Sequence, residues 1–175
     1  LVESIEAYRG VFGFPISEYY EKVGFDFTKE SYHDVASEWA ALYREDSRGC
    51  GVCDGVQEAL TMFADTGARQ VILSATERTM LRAQIKPLGI EQYFEEMMAL
   101  GDLYAISKID LGREWMCRSQ PRRALLIGDT VHDFETASAI GADCILIAAG
   151  HQDKARLLSC GVKVLDTARG LCCSF

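Results

Sequence analysis

Two aspartates four residues apart, Asp129 and Asp133, stand in the stretch Ala124-Leu125-Leu126-Ile127-Gly128-Asp129-Thr130-Val131-His132-Asp133. Ala124 to Ile127 is a short apolar run of the kind that forms a buried parallel strand. Gly128 lets the chain turn where that strand ends. Asp129 then stands on the loop, and Asp133 falls in the first turn of the helix that follows. Two carboxylates placed this way can meet a divalent metal, while the helix N-terminus favours an anion at the same spot. A capping loop with two solvated acids is the alternative.

The elements around this stretch decide what can join it. In the first quarter, apolar residues at 1, 2, 5 and 8 have helical spacing, and Ser17 to Val23 suits a short helix. Thr28 can cap a longer helix through about Arg44, with Val35, Trp39 and Leu42 on one face. There is no strand signal here, so residues 1–48 are predicted to be a small helical lobe, joined through the polar, glycine-rich Glu45 to Gly55 to a main domain over 49–175. Strands are predicted at Val71 to Leu73, Met97 to Leu100, Ala124 to Ile127, Cys144 to Ala148 and Val162 to Leu165. Between and around them lie helices from Gly55 to Thr66 capped by Asp54, Thr76 to Ile85, Lys108 to Cys117 capped by Ser107, His132 to Ile140, and Gly150 to Leu158. This alternation specifies an α/β fold, a doubly wound parallel sheet.

Composition narrows the chemistry. A chain of 175 residues, 49% hydrophobic and 25% charged, can build one core and an accessory lobe. Its formal charge of -8 supplies no basic face for nucleic acid, although a few local cations suffice for a small phosphorylated metabolite. No apolar run has membrane-spanning length and no signal peptide is recognisable, so no membrane partner and a cytoplasmic location are expected. The cysteines number seven, and Cys117 and Cys144 read as reduced core thiols. Cys50-Gly-Val-Cys53 lacks the second spaced pair of a zinc site, since Cys172 and Cys173 are adjacent. His132 and His151 read as surface residues near helix starts, and nothing indicates an oligomeric state.

In a sheet of this type ligands bind beyond the carboxyl ends of the strands. Ser74, Lys108 and Asp129 all fall there, and together a hydroxyl, an ammonium and two carboxylates can hold a phosphate and its metal. Taken singly, Ser74 suits a helix cap and Lys108 a solvated charge. Their order is specific: Ile72-Leu73-Ser74-Ala75, Ser107-Lys108 and Ile127-Gly128-Asp129-Thr130-Val131-His132-Asp133 resemble the second, third and fourth motifs of the haloacid dehalogenase-like hydrolase superfamily, in its phosphoglycolate-phosphatase-like branch. Gly150-His151-Gln152 and Val164-Leu165-Asp166 resemble the same branch. The resemblance implies a Rossmann-like core with a mobile helical cap, and a magnesium-dependent phosphatase acting on a small phosphomonoester, such as a phosphoglycolate-like one, through an aspartyl-phosphate. Ser74 and the backbone at Ala75 would hold the phosphoryl group and Lys108 would neutralise it. Asp129 would ligate Mg2+, and Asp133 would support the metal shell, partly through water.

The sequence departs from the superfamily pattern in three places. Ala75 and Ile109 replace a usual asparagine and proline, and neither change removes a reacting group. The first motif, Asp-x-Asp-x-Thr, which supplies the nucleophile and the general acid and base, has no counterpart. The chain opens Leu1-Val2-Glu3-Ser4, without an initiating methionine and within an amphipathic pattern. The expectation is a longer protein whose catalytic strand lies upstream and occupies the place between the strands that lead to Ser74 and Asp129. Two other readings stand beside it: a non-catalytic phosphate- or nucleotide-binding module, and a phosphomutase or dehalogenase of the same superfamily.

Overall fold

The computed structural model describes residues 2–100 and 108–174, so Ser107, predicted to cap the helix from Lys108, lies outside the described residues. Three helices come first: α1 (Ile5–Val11), α2 (Ile16–Lys22) and α3 (Tyr32–Asp46). Ser31 caps α3, whereas Thr28 gives both its N–H and its hydroxyl to Asp26 and belongs to the preceding turn. Tyr20 is buried, with the rings of Phe25, Phe27 and Tyr32 around it. An aromatic cluster therefore supplies the apolar interior of a stretch that carries few aliphatic residues.

The remainder alternates as the sequence predicts, through α4 (Val56–Asp65), β1 (Val71–Glu77), α5 (Arg78–Ile85), β2 (Glu96–Leu100), α6 (Ile109–Ser119), β3 (Leu125–Gly128), α7 (Val131–Ile140), β4 (Asp143–Ile147), α8 (Lys154–Leu158) and β5 (Lys163–Leu165). Asp54 does not cap α4; Gly55 stands at that position, and Asp54 pairs instead with Arg169 at 2.6 Å. The last helix is shorter than predicted, because Asp153 caps it and Gly150 to Gln152 stay outside.

All strand pairings are parallel, in two groups of order β1-β2 and β3-β4-β5. Ser74 pairs with Ala99 and Glu77 with Leu100, so β1 runs past the expected end at Leu73. β4, central in its group, carries Ile145 in a cluster with Ala59 of α4 and with Ala168 and Leu171 of a terminal 3-10 helix (Ala168–Cys173). Next to it Leu146 is fully buried, which contributes roughly 2 kcal/mol of transfer free energy. α6 lies across the two groups, with Gly112 against Leu73 of β1 and Ile140 of α7. β1 and β3 are each paired on one side only. Parallel strands are ordinarily covered on both faces, yet Ile127 in the middle of β3 is 37% exposed. Among the described residues β1 and β3 therefore each keep one edge without a strand partner.

The cysteines are all free, and Cys117 is exposed on α6 rather than in the core. Gly112 and Trp115 define the buried face of that helix, and Cys117 lies most of half a turn away from Trp115. Burial pushes the half-buried Cys144 thiol up to about 11, which keeps it protonated. No helix among the described residues is long and apolar enough to cross a membrane.

Candidate functional site

Asp133 is the organising side chain of the turn between β3 and α7. Its Oδ2 accepts the N–H of Asp129 at 3.0 Å, the N–H of Thr130 at 3.0 Å and the Thr130 hydroxyl at 2.7 Å. Its Oδ1 accepts the Lys108 ammonium. Thr130 completes a capping box by accepting the Asp133 N–H. A capping loop is thus present, but Asp133 is 3% exposed and is no solvated acid. Burial alone would raise its pKa; the charge and hydrogen bond of Lys108, with the donors of Thr130 and Asp129, overcome that and hold it below the usual carboxylate range.

Gly128 is required by this geometry. A Cβ there would lie 2.2 Å from Asp133 Cγ and 2.3 Å from its Cβ. Gly128→Ala should therefore lift the carboxylate off its donors and lower stability by about 3 kcal/mol, from overpacking and newly unpaired N–H groups together. Urea melts followed by circular dichroism measure this, and a change below about 1 kcal/mol would show that the turn opens without losing those bonds.

Asp129, at the end of β3, is half-buried, and its Oδ2 accepts the backbone N–H of His151 at 2.7 Å. Gly150 rests against it so closely that a Cβ would sit 2.0 Å from Oδ2. No described residue donates to its Oδ1. Asp129 and Asp133 are the carboxylates of the turn, and among the described residues no group of three or more His, Cys, Asp or Glu could hold a metal. The donor set still suits magnesium, which favours oxygen and keeps several waters. Asp129 can offer Oδ1 directly, and Asp133 fixes the backbone behind it.

Lys108, Asp129 and Asp133 are thus brought together. Ser74 and Ala75 lie on β1, in the other strand group, where the Ser74 hydroxyl accepts the Thr76 N–H at 3.0 Å, and no described contact joins Ser74 to the other three. His132 is buried rather than a surface residue: its ring lies 4.7 Å from that of Phe14, and its Nε2 has no hydrogen-bond partner among the described residues. His151 is exposed, stacked on Phe12 and 2.6 Å from the Tyr8 hydroxyl. Burial, with Tyr19 and Asp129 nearby, pushes the Tyr8 pKa up, so that hydroxyl stays protonated.

Residues of the site that sequence reasoning missed divide into two kinds. Thr130 carried a signal, a threonine three residues before an acid at a helix start. Gln152 stands in a stretch that resembles the family, but nothing in its residue type points to its role: 1% exposed, its Oε1 accepts the Val131 N–H at 2.7 Å and its Nε2 donates to the Phe12 carbonyl at 3.0 Å.

A family model described as haloacid dehalogenase-like hydrolase matches residues 3–147. The tyrosine-protein kinase PtkA of Mycobacterium tuberculosis is 28% identical over 126 residues, covering 67% of this chain and 43% of that protein. The chain thus spans under half the length of this curated relative. The solved structure of M. tuberculosis protein tyrosine kinase A (PtkA) is 25% identical, with a TM-score of 0.70 over 88% of this chain and 71% of that one. A haloacid dehalogenase-like protein of Agrobacterium tumefaciens superimposes with a TM-score of 0.76 at 20% identity, over 98% of this chain and 82% of that one.

Proposed function

The chain belongs to the haloacid dehalogenase-like hydrolase family, and we propose that it contributes the metal and phosphate half of a magnesium-dependent phosphomonoesterase site. One observation carries the reading: Asp133 gathers Lys108 and the Asp129–Thr130 backbone into one turn at the end of a parallel strand, with Asp129 Oδ1 left without a donor among the described residues. When bound, magnesium would neutralise charge on the phosphoryl oxygens. Asp129 would hold it, with Asp133 fixing Asp129 from behind. Lys108, oriented by Asp133, keeps two further N–H donors to offer a phosphoryl oxygen. Ser74 and the Ala75 backbone would bind the same group from β1.

A further parallel strand pairing with the free edges of β1 and β3 and ending in Asp-x-Asp would bring the nucleophile to this edge. The intact protein would then form an aspartyl-phosphate. Residues 1–48 would act as the cap that selects a small phosphorylated substrate, a phosphoglycolate-like one among the choices. The test has two steps. The reading frame upstream of Leu1 should encode Asp-x-Asp, and protein carrying that segment should release phosphate from an aryl phosphate only when magnesium is present. A frame without the motif, or turnover unaffected by a metal chelator, overturns the proposal.

A further inference from the structure

The segment Ala149–Gln152 touches the Asp129 turn on one side and α1 on the other. Arg9, on α1, donates Nε to the Gly150 carbonyl at 2.9 Å and Nη2 to the Ala149 carbonyl at 3.1 Å. The Gly150 carbonyl and the His151 N–H belong to one peptide group, and that N–H donates to Asp129 Oδ2. A guanidinium thus acts on one end of a peptide whose other end bonds the carboxylate. A charged donor at the carbonyl polarises the peptide and strengthens its N–H as a donor. The peptide approaches this closely only because Gly150 has no Cβ.

A second tie runs in parallel. Gln152 bonds Val131, just beyond Asp129, and reaches the carbonyl of Phe12 at the end of α1. Arg156 donates to the same carbonyl at 2.7 Å. Loop 129–131 is therefore bonded to 149–152, and 149–152 to α1, from which the chain leads into α2.

We infer that Ala149–Gln152 is a strap through which α1 orients the Asp129 carboxylate, and that Arg9 is its positioning residue. With Oδ2 taken by the strengthened His151 N–H, Oδ1 is the oxygen presented outward. The metal role of Asp129 in this inference rests on the function proposed above. The orientation itself does not.

Arg9→Met, Arg9→Lys and Arg156→Met test it, with amide resonances and hydrogen exchange read by NMR in the absence of metal. In Arg9→Met the His151 amide proton should move upfield and exchange about tenfold faster. Magnesium affinity, measured by titration calorimetry, should fall about tenfold, as is usual for a partner behind a metal ligand. Arg9→Lys keeps the charge without the fork, and should recover part of the amide shift; it also serves if Arg9→Met does not fold. Arg156→Met, which loosens α1 without touching the peptide, should leave the His151 amide in place. An unmoved His151 amide in both Arg9 variants, or equal movement in Arg156→Met, overturns the strap. Absent magnesium binding by the wild-type protein overturns the functional reading instead, and leaves the amide result to decide the inference.

Discussion

Asp129→Asn should leave the chain folded and lower magnesium-dependent hydrolysis by about a thousandfold or more in protein that carries the Asp-x-Asp strand. The two halves of this expectation have separate causes. Folding depends on what Asp129 gives the turn: its backbone N–H to Asp133 and one carboxylate oxygen to the His151 N–H. Asparagine keeps the backbone donor, and its carbonyl oxygen can still accept from His151, so the loss in stability should stay within about 1 kcal/mol. Catalysis depends on the other oxygen. In asparagine that position becomes an NH2 group, which has no lone pair for a cation and carries no charge. A stable variant without turnover is the outcome that assigns Asp129 to the metal. Unchanged turnover of an aryl phosphate rejects the assignment, and a variant that unfolds shows that the carboxylate serves the turn itself.

Legibility of the fold in the sequence followed the length of the interactions involved. The runs that became β1, β3, β4 and β5 are rich in Val, Ile and Leu, β2 is apolar through its methionines, and all are bounded by polar or turn residues, so the apolar pattern located each within a few residues. Errors arose where a second partner competed. Thr28 and Asp54 both suit helix caps, but Asp26 captures the first and Arg169 the second. Ser74 reads as the residue after a strand, yet the pairing with β2 carries the strand on through Glu77, a residue that then caps α5. His132 reads as exposed from its place at a helix start, and becomes buried because Phe14, far away in the chain, packs on it.

The candidate site divided along the same line. Asp129, Thr130 and Asp133 sit within one turn of chain, where spacing implies contact. The Lys108 to Asp133 pair spans 25 residues: the order of the elements puts Lys108 at the same sheet edge, but no spacing rule pairs it with Asp133. The strap is least legible, since Arg9 meets Gly150 across 141 residues and binds its backbone, which leaves no trace in residue type except the glycine.

Lys108→Met should weaken the fold at neutral pH by about 3 kcal/mol and flatten its dependence on acid. The side chains of the pair are only 13% and 5% exposed, so water does little to screen them or to replace the lost partner. Removing the ammonium leaves Asp133 with its backbone and threonine donors but no countercharge, and burial then weighs more heavily against its ionised form. The sign follows from linkage. In the wild-type chain Asp133 is held below its unfolded pKa, near 3.9. Its contribution is therefore complete above that value and disappears as the pH falls through the folded pKa. In the variant the folded pKa climbs towards or past the unfolded one, so the stability gained as the pH rises through the carboxylate range shrinks. Urea melts at pH 3.5 and pH 7 should show a smaller difference between the two proteins in acid than at neutrality. A deficit of the same size at both pH values would mean that Lys108 acts through the packing of its stem, and that the buried charge on Asp133 is held by Thr130 and the turn alone.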